Sequence, residues 1–217
     1  MTLPPPFYAH DGITIYHGDC RELLPELPMT DLLLTDPVWP NSPAGMFSAV
    51  EDAYELLAMA LTTRHEPRLV IVLRHDSDPR FLQAVPLRWE FFRVQILPYV
   101  MPGYIGRKLG GDELAYCFGT PIPSAPGRRV IPGYAPKAQP GQRPNNGHPC
   151  SRALSHIKWL VSWWSLEGET ILDPFVGSGT TLLAAKELQR KAIGVEIEER
   201  FCELAAKRLS QEVFTFA

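Results

Sequence analysis

Hydrophobic and polar positions along the chain alternate between short apolar runs and longer stretches with helical spacing. Ile13-Thr14-Ile15-Tyr16, β-branched and aromatic, runs into Gly18-Asp19 and predicts a short strand. Asp31-Leu32-Leu33-Leu34-Thr35 is almost continuously apolar, as a strand buried on both faces must be, and Asp36-Pro37 ends it because proline cannot donate to a ladder. Val50 to Leu61 carries Ala, Leu and Met at helical spacing with acidic residues early in the run, which predicts a helix. Leu69 to Leu73 predicts a second buried strand. Trp89 to Leu97 and Leu114 to Phe118 are aromatic-rich and read as strands, the first of them with a helical alternative. Ser151 to Trp164 places Leu154, Ile157, Leu160, Val161 and Trp164 on one helical stripe. A βαβ unit closes the chain: strand Thr170 to Asp173, turn Gly177-Ser178-Gly179, helix Thr180 to Gln189, strand Ala192 to Val195, then a last helix from Glu198 to Leu209. Strands alternating with helices predict an α/β fold with a mainly parallel sheet covered on both faces.

Between Gly119 and Pro149 the pattern breaks down, with eight prolines and five glycines in 31 residues, so regular elements longer than a few residues are excluded there. A loop or extended insertion is expected, the competing reading being a linker between two domains. The chain of 217 residues, 45% hydrophobic and 21% charged, suits one globular domain. It contains no run of eighteen apolar residues and starts without the basic and apolar segments of a signal peptide, so a cytoplasmic location and no membrane contact are expected. Cys20, Cys117, Cys150 and Cys202 form no CxxC pair, and His10, His17, His65, His75 and His156 show no metal-ligand spacing, so no metal is expected. The net charge of −3 argues at face value against an acidic partner, but it is an average. From Arg107 to Lys158 eight basic residues face two acidic ones (+6), leaving thirteen against twenty-two (−9) elsewhere. The positive stretch suits phosphate contact, with Tyr104 and Tyr134 available for stacking, and its alternative role is to solubilise a loop.

Two constellations carry chemistry. Asp173-Pro174-Phe175-Val176-Gly177-Ser178-Gly179-Thr180-Thr181, with Glu196 after the following strand, has the strand, glycine turn and helix start of a nucleotide-binding crevice. A dinucleotide site competes, although Leu182 stands where the third glycine of GxGxxG would be; no Gly-Lys-Ser/Thr follows for a P-loop, and a plain structural turn is the remaining alternative. Thr35-Asp36-Pro37-Val38-Trp39-Pro40-Asn41 ends a buried strand. A carboxylate, a proline-flanked carbonyl and an aromatic face could together hold a planar amine, unless Asp36 merely starts a turn and Trp39 is core.

These residues resemble a known family. Asp173 to Thr181 is similar to the FxGxG motif of S-adenosylmethionine-dependent DNA amino-methyltransferases, and Asp36-Pro37-Val38-Trp39 to their [DNS]PP[YFW] motif. The catalytic motif precedes the cofactor motif, the circularly permuted order of the β-class. Gly18-Asp19-Cys20 and Gly147-His148-Pro149-Cys150-Ser151-Arg152 match two further segments, GDC/GDS and HPTxKP. Val38 replaces the second proline, and Arg152-Ala153 replaces Lys-Pro. The resemblance implies a Rossmann-like methyltransferase fold with a seven-stranded sheet and S-adenosylmethionine as cofactor. It implies catalysis by Asp36, Pro37 and Trp39, and cofactor contacts from Asp19, Cys20, His148, Arg152, Asp173, Phe175, Gly177, Ser178, Gly179, Thr180 and Glu196. Asp19 would meet the adenine, Glu196 the ribose hydroxyls and Asp173 the methionine amine. It further implies target recognition by residues 98–149, with Arg107, Lys108, Arg128, Arg129, Lys137 and Arg143 on DNA, in a single domain that can form a homodimer. Asp36, where serine is commoner among cytosine-N4 enzymes, favours adenine N6. The alternatives are cytosine N4, an RNA or protein amine as acceptor, and a module that grips DNA without catalysis. Pro149-Cys150 is not read as the nucleophile of carbon-5 cytosine methyltransferases, since Ser151 follows where those enzymes have Gln.

Overall fold

The computed structural model describes residues 3–39, 52–99, 103–105, 108–110, 112–124, 129–139, 147–148 and 151–211, with backbone alone at 103–105 and 108–110. Apolar runs become the central strands: β2 (Ile13–His17), β3 (Leu32–Thr35), β4 (Arg68–Arg74), β9 (Thr170–Asp173) and β10 (Lys191–Glu196) are parallel to one another in the order β2-β10-β9-β3-β4. β8 (Glu113–Gly119) and β5 (Phe91–Leu97) add antiparallel to β4, so the aromatic-rich run before Pro98 is a strand. The expected seven strands are joined by an eighth, β1 (Tyr8–His10), which pairs antiparallel with β2 at the far edge. The Pro-rich start hides it in the sequence, and the turn Asp11-Gly12, both residues at positive φ, folds it back. β6 (Gly103–Ile105) and β7 (Lys108–Gly110) form a separate hairpin.

The alternation of β3 shows how the two faces are built. Leu32 and Leu34 point to the face covered by α3 (Leu154–Trp164), α4 (Thr180–Glu187) and α5 (Glu199–Leu209), and Leu33 to the face covered by α1 (Cys20–Leu23) and α2 (Ala53–Thr62). Local chemistry sets the helix starts and ends. Asp52 caps α2 by accepting from the N–H groups of Tyr54 and Glu55, so the helix opens at Ala53, and Gln189 in the left-handed region ends the α4 segment short of the expected boundary. Residues 151–153 precede α3 rather than belonging to it, Ala153 being extended.

The third glycine that GxGxxG lacks is replaced on the facing strand. A Cβ on Gly194 of β10 would lie 2.2 Å from Val176 and 3.0 Å from Leu182, so it is the strand that gives way and lets α4 pack close. β8 divides the expected recognition segment, because it runs through the sheet. Of the Pro/Gly-rich stretch, residues 131–138 lie against the edge strand β5: Ile96 N–H donates to Gly133 O (2.8 Å), Ala135 N–H to Ile96 O (2.9 Å) and Ala138 N–H to Pro98 O (2.9 Å). This segment covers the outer edge of β5.

Candidate active site

The strand order places the two motifs side by side. The crossover from β9 leads through α4 to β10 on one side, and that from β3 leads through α2 to β4 on the other, so β9 and β3 are neighbours at a point where connections diverge. A crevice opens at the carboxyl ends of such strands. Here it is a cleft of about 1050 Å³, part of it open to solvent. Asp36, Pro37 and Trp39 line it, as do Asp19, Cys20, His148, Arg152, Asp173, Phe175, Gly177, Ser178, Thr180 and Glu196. Gly179 does not: it precedes α4 with φ +77°, turned toward Ala205 of α5.

Three carboxylates converge on the cleft from the ends of three strands. Glu196 is tied down at both oxygens, Oε2 accepting from Gly177 N–H (2.7 Å) and Oε1 from Glu198 N–H (2.9 Å). Asp173, 2% exposed, accepts from Phe175 N–H (3.1 Å), and burial pushes its carboxyl up to about 7, with Asp36 and Glu196 adding repulsion. Burial pushes Asp36 up to about 6, opposed chiefly by Arg152. On the glycine turn, φ of Gly177 is +51° and a Cβ there would lie 2.8 Å from the His148 ring, so two constraints demand glycine. His148 packs edge-on to Phe201 and is pushed down to about 4 by burial and then by Arg152, Arg200 and Arg208, so it is neutral at pH 7. The amino end of α4 has no side-chain cap, and Thr180 and Thr181 line the cleft beside it.

Asp19 caps α1 and is paired with Arg21, whose side-chain hydrogen bonds hold the carboxyl below its usual range. Arg21 also lines the cleft; the sequence reading passed over it, although its place two residues after Asp19 was a signal. Cys20 is buried, its thiol pushed up to about 12 by burial, and serves as apolar wall. Trp39 is 5% exposed and packs into the core cluster under α2, and it also lines the cleft. The guanidinium of Arg152 lies 4.3 Å from its ring centre and that of Arg74 5.4 Å. Arg152 donates from Nη2 to Asp36 Oδ1 (2.6 Å) and from Nη1 to Glu113 Oε1 (2.7 Å). Glu113 was missed as a site residue. The signal was an acidic residue opening an antiparallel strand, which lands at the same sheet edge as the carboxyl ends of the parallel ones, beside Arg74.

The basic stretch is less free than its composition indicates. Arg152 is buried between two carboxylates and Lys158 pairs with Glu187 (2.8 Å). Arg129, Lys137 and Tyr134 are exposed. Arg107, Arg128 and Arg143 lie outside the described residues, as do the side chains of Lys108 and Tyr104, and Pro149 and Cys150.

The family model for DNA methylases of the N6/N4 type matches residues 38–207. The chain belongs to this family. It is 35% identical to the type II methyltransferase M.ScaI of Streptomyces caespitosus over an alignment of 258 residues covering 95% of this chain and 84% of that protein. The chain spans about a quarter of the length of the first curated relatives it matches; with M2.DpnII of Streptococcus pneumoniae it shares 42% identity over 65 residues, 30% of this chain and 24% of that one. In fold it is similar to the crystal structure of the M1.HpyAVI-SAM complex, with a TM-score of 0.70 and 23% identity over 92% of this chain and 100% of that one. S-adenosylmethionine is the cofactor of this family of methylases, and the cleft fits it: the Asp173 carboxyl, pushed up chiefly by burial, calls for a cation, which the sulfonium and ammonium groups provide. No helix among the described residues is long and apolar enough to cross a membrane.

Proposed function

We propose that the protein transfers a methyl group from S-adenosylmethionine to the N6 amine of adenine in DNA, in the cytoplasm. The observation that supports this most directly is the meeting of an amine-type acceptor, Asp36, with the acidic lobe formed by Asp173 and Glu196 in one cleft. When bound, S-adenosylmethionine supplies an electrophilic methyl on a cationic sulfur. Asp173 would hold its ammonium group, Glu196 its ribose hydroxyls and Asp19 its adenine, while Phe175, Gly177 and Ser178 shape the wall. The lone pair of an exocyclic amine is delocalised into its ring and must be relocalised. Asp36 and the Pro37 carbonyl, accepting from the two N–H bonds, favour a pyramidal nitrogen with its lone pair aimed at the methyl group. The nitrogen would gain the methyl, whose bond to sulfur would break to leave a neutral thioether, and would give up one proton, for which Asp36 is the adjacent acceptor.

A base inside a duplex cannot reach Asp36, so it is flipped out and stacks on Trp39. Because Trp39 also belongs to the core, Trp39→Ala mixes two effects, and Trp39→Phe separates them. Stacking is worth roughly 1–3 kcal/mol per base, so the alanine variant is expected to lose about five- to a hundredfold in methylation while phenylalanine restores most of it. A rate unchanged in Trp39→Ala would leave Trp39 as core alone.

Residues 98–112 and 120–149, on either side of the sheet strand β8, form the target-recognition region of a single catalytic domain, with Arg129 and Lys137 on phosphates and Tyr134, 67% exposed, beside them. Each phosphate contact contributes a slope of about 0.9 in log K against log salt, so Arg129→Ala with Lys137→Ala is expected to flatten the salt dependence of DNA binding by about 1.8. An unchanged slope in a filter-binding titration would remove both residues from the interface. The decisive experiment is transfer of tritium from labelled S-adenosylmethionine to DNA, RNA and protein, followed by nucleoside analysis. N6-methyladenine is the expected product; N4-methylcytosine would reassign the base, label in RNA or protein would reassign the substrate, and DNA binding without transfer would leave a binding module.

A further inference from the structure

Arg152 stands where the family pattern has lysine, and its surroundings give the guanidinium a task that an ammonium cannot perform. Its planar fork bridges Asp36 and Glu113, taking one oxygen of each, at 2.6 and 2.7 Å. Arg152 is 5% exposed and Glu113 1%. The other oxygen of Glu113 accepts from the Tyr99 hydroxyl (2.8 Å). Tyr99 in turn lies against Ala138 of the Pro/Gly-rich segment, donates its N–H to Asp112 Oδ1 (3.2 Å) and packs edge-on to His156. A continuous line of contacts therefore joins Asp36 to the segment assigned to target recognition.

We propose that Arg152 and Glu113 are positioning residues for methyl transfer, a buried pair that fixes the orientation and charge of Asp36 and ties both to the recognition segment through Tyr99. The proposal rests on the reading of Asp36 as the group that receives the amine. A neutral carboxyl at Asp36 would offer the amine a proton where it needs an acceptor. Burial favours that neutral form, and Arg152 opposes it. Glu113 acts the other way, since it repels Asp36 and draws on the same guanidinium. Among the described residues the other charged groups near Asp36 are Asp173 on β9, with Glu196 beyond it on β10, and Arg74 on β4, which faces the Trp39 ring; His148, near Arg152, is neutral at pH 7. Asp173 and Glu196 are common to all the variants below. Arg152 directs two of its donors at Asp36 and Glu113, while its charge also reaches His148 beside the glycine turn, so Glu113→Gln is the variant that leaves the cofactor lobe alone.

The two partners therefore shift the acid limb of the reaction in opposite directions, which a structural role for either would not do. The experiment measures single-turnover methyl transfer from pH 5 to 9 and S-adenosylmethionine affinity by calorimetry, in the wild type, Arg152→Gln, Arg152→Lys, Glu113→Gln and Asp36→Ala. Arg152→Gln is expected to move the acid limb up by about one pH unit and to lower the rate at pH 7 by about a hundredfold. Glu113→Gln is expected to move the limb down by about half a unit. Arg152→Lys, which restores the charge without the fork, should recover the position of the limb but only part of the rate. Cofactor affinity should stay within about threefold in Glu113→Gln, whose side chain lies outside the cleft lining. Limbs that stay in place, or move the same way in Arg152→Gln and Glu113→Gln, would overturn the proposal. If Arg152→Gln fails to fold, Glu113→Gln and Arg152→Lys still decide it through the position of the limb. Full activity in Asp36→Ala would instead sink the underlying reading of Asp36, whatever the other variants do.

Discussion

Asp36→Ala is expected to lower methyl transfer by about 10³-fold or more while S-adenosylmethionine binds within about threefold of the wild type. Alanine removes the acceptor that relocalises the amine lone pair, and water in the vacated space is neither fixed nor charged. Cofactor binding survives because Asp173 and Glu196 belong to other strands and keep their own backbone donors, Phe175 N–H for one and Gly177 and Glu198 N–H for the other. Asp36→Asn is the sharper comparison. It keeps the size and one acceptor oxygen, loses the charge that Arg152 answers, and is expected to fall between the two. Single-turnover tritium transfer with calorimetric binding measures both quantities; transfer that persists in Asp36→Ala would remove the residue from catalysis.

The affinity for S-adenosylmethionine is expected to fall about tenfold per pH unit below pH 7, and to lose this dependence in Asp173→Asn. Burial, more than any neighbour, pushes the Asp173 carboxyl up to about 7, with repulsion from Asp36 and Glu196 adding to it. A bound cation favours the ionised form, so the cofactor and a proton compete for the same group. Above pH 7 the carboxylate is already ionised and affinity is at its plateau. As pH falls through 7 the acid form accumulates and binding must first expel a proton, which costs affinity. In Asp173→Asn the group cannot titrate, so affinity is expected to be about a hundredfold weaker at pH 8 and nearly flat down to pH 6, one charge-assisted contact being worth about 1.5–3 kcal/mol. A steep pH dependence retained in Asp173→Asn would place the titrating group elsewhere.

Much of the site could be read from residue patterns because its groups sit at strand ends. A buried apolar run followed by Asp-Pro, and another followed by Asp-Pro-Phe-Val-Gly-Ser-Gly, each announce a strand tip and what it carries. Residues whose importance depends on a remote partner left a fainter trace. Glu113 opens an ordinary apolar strand, and Tyr99 follows a proline in a region of poor periodicity; neither is marked until β8 is seen to run antiparallel beside β4. Gly194 is similar. As one glycine in a strand it says little, and its function is defined by Val176 and Leu182 pressing on it from the neighbouring turn and helix.

Charge behaved in the same way. The basic excess between Arg107 and Lys158 was a correct count, yet two of its members are paired within the chain, Arg152 buried on two carboxylates and Lys158 on Glu187 at the surface. Linear composition cannot tell a cation that faces solvent from one neutralised by a residue far away in the chain.

By itself the sequence determined the alternation of strands and helices, the identity of both motifs and their order, because hydrophobic periodicity and turn chemistry act over a few residues. Tertiary structure decided that β9 lies beside β3, so that Asp173 and Asp36, 137 residues apart, share a cleft. It also decided that Arg152 answers to Asp36 and Glu113. The physical reason is that strand order and the raised carboxyls follow from packing and from exclusion of water, which are properties of the assembled sheet and of no single segment.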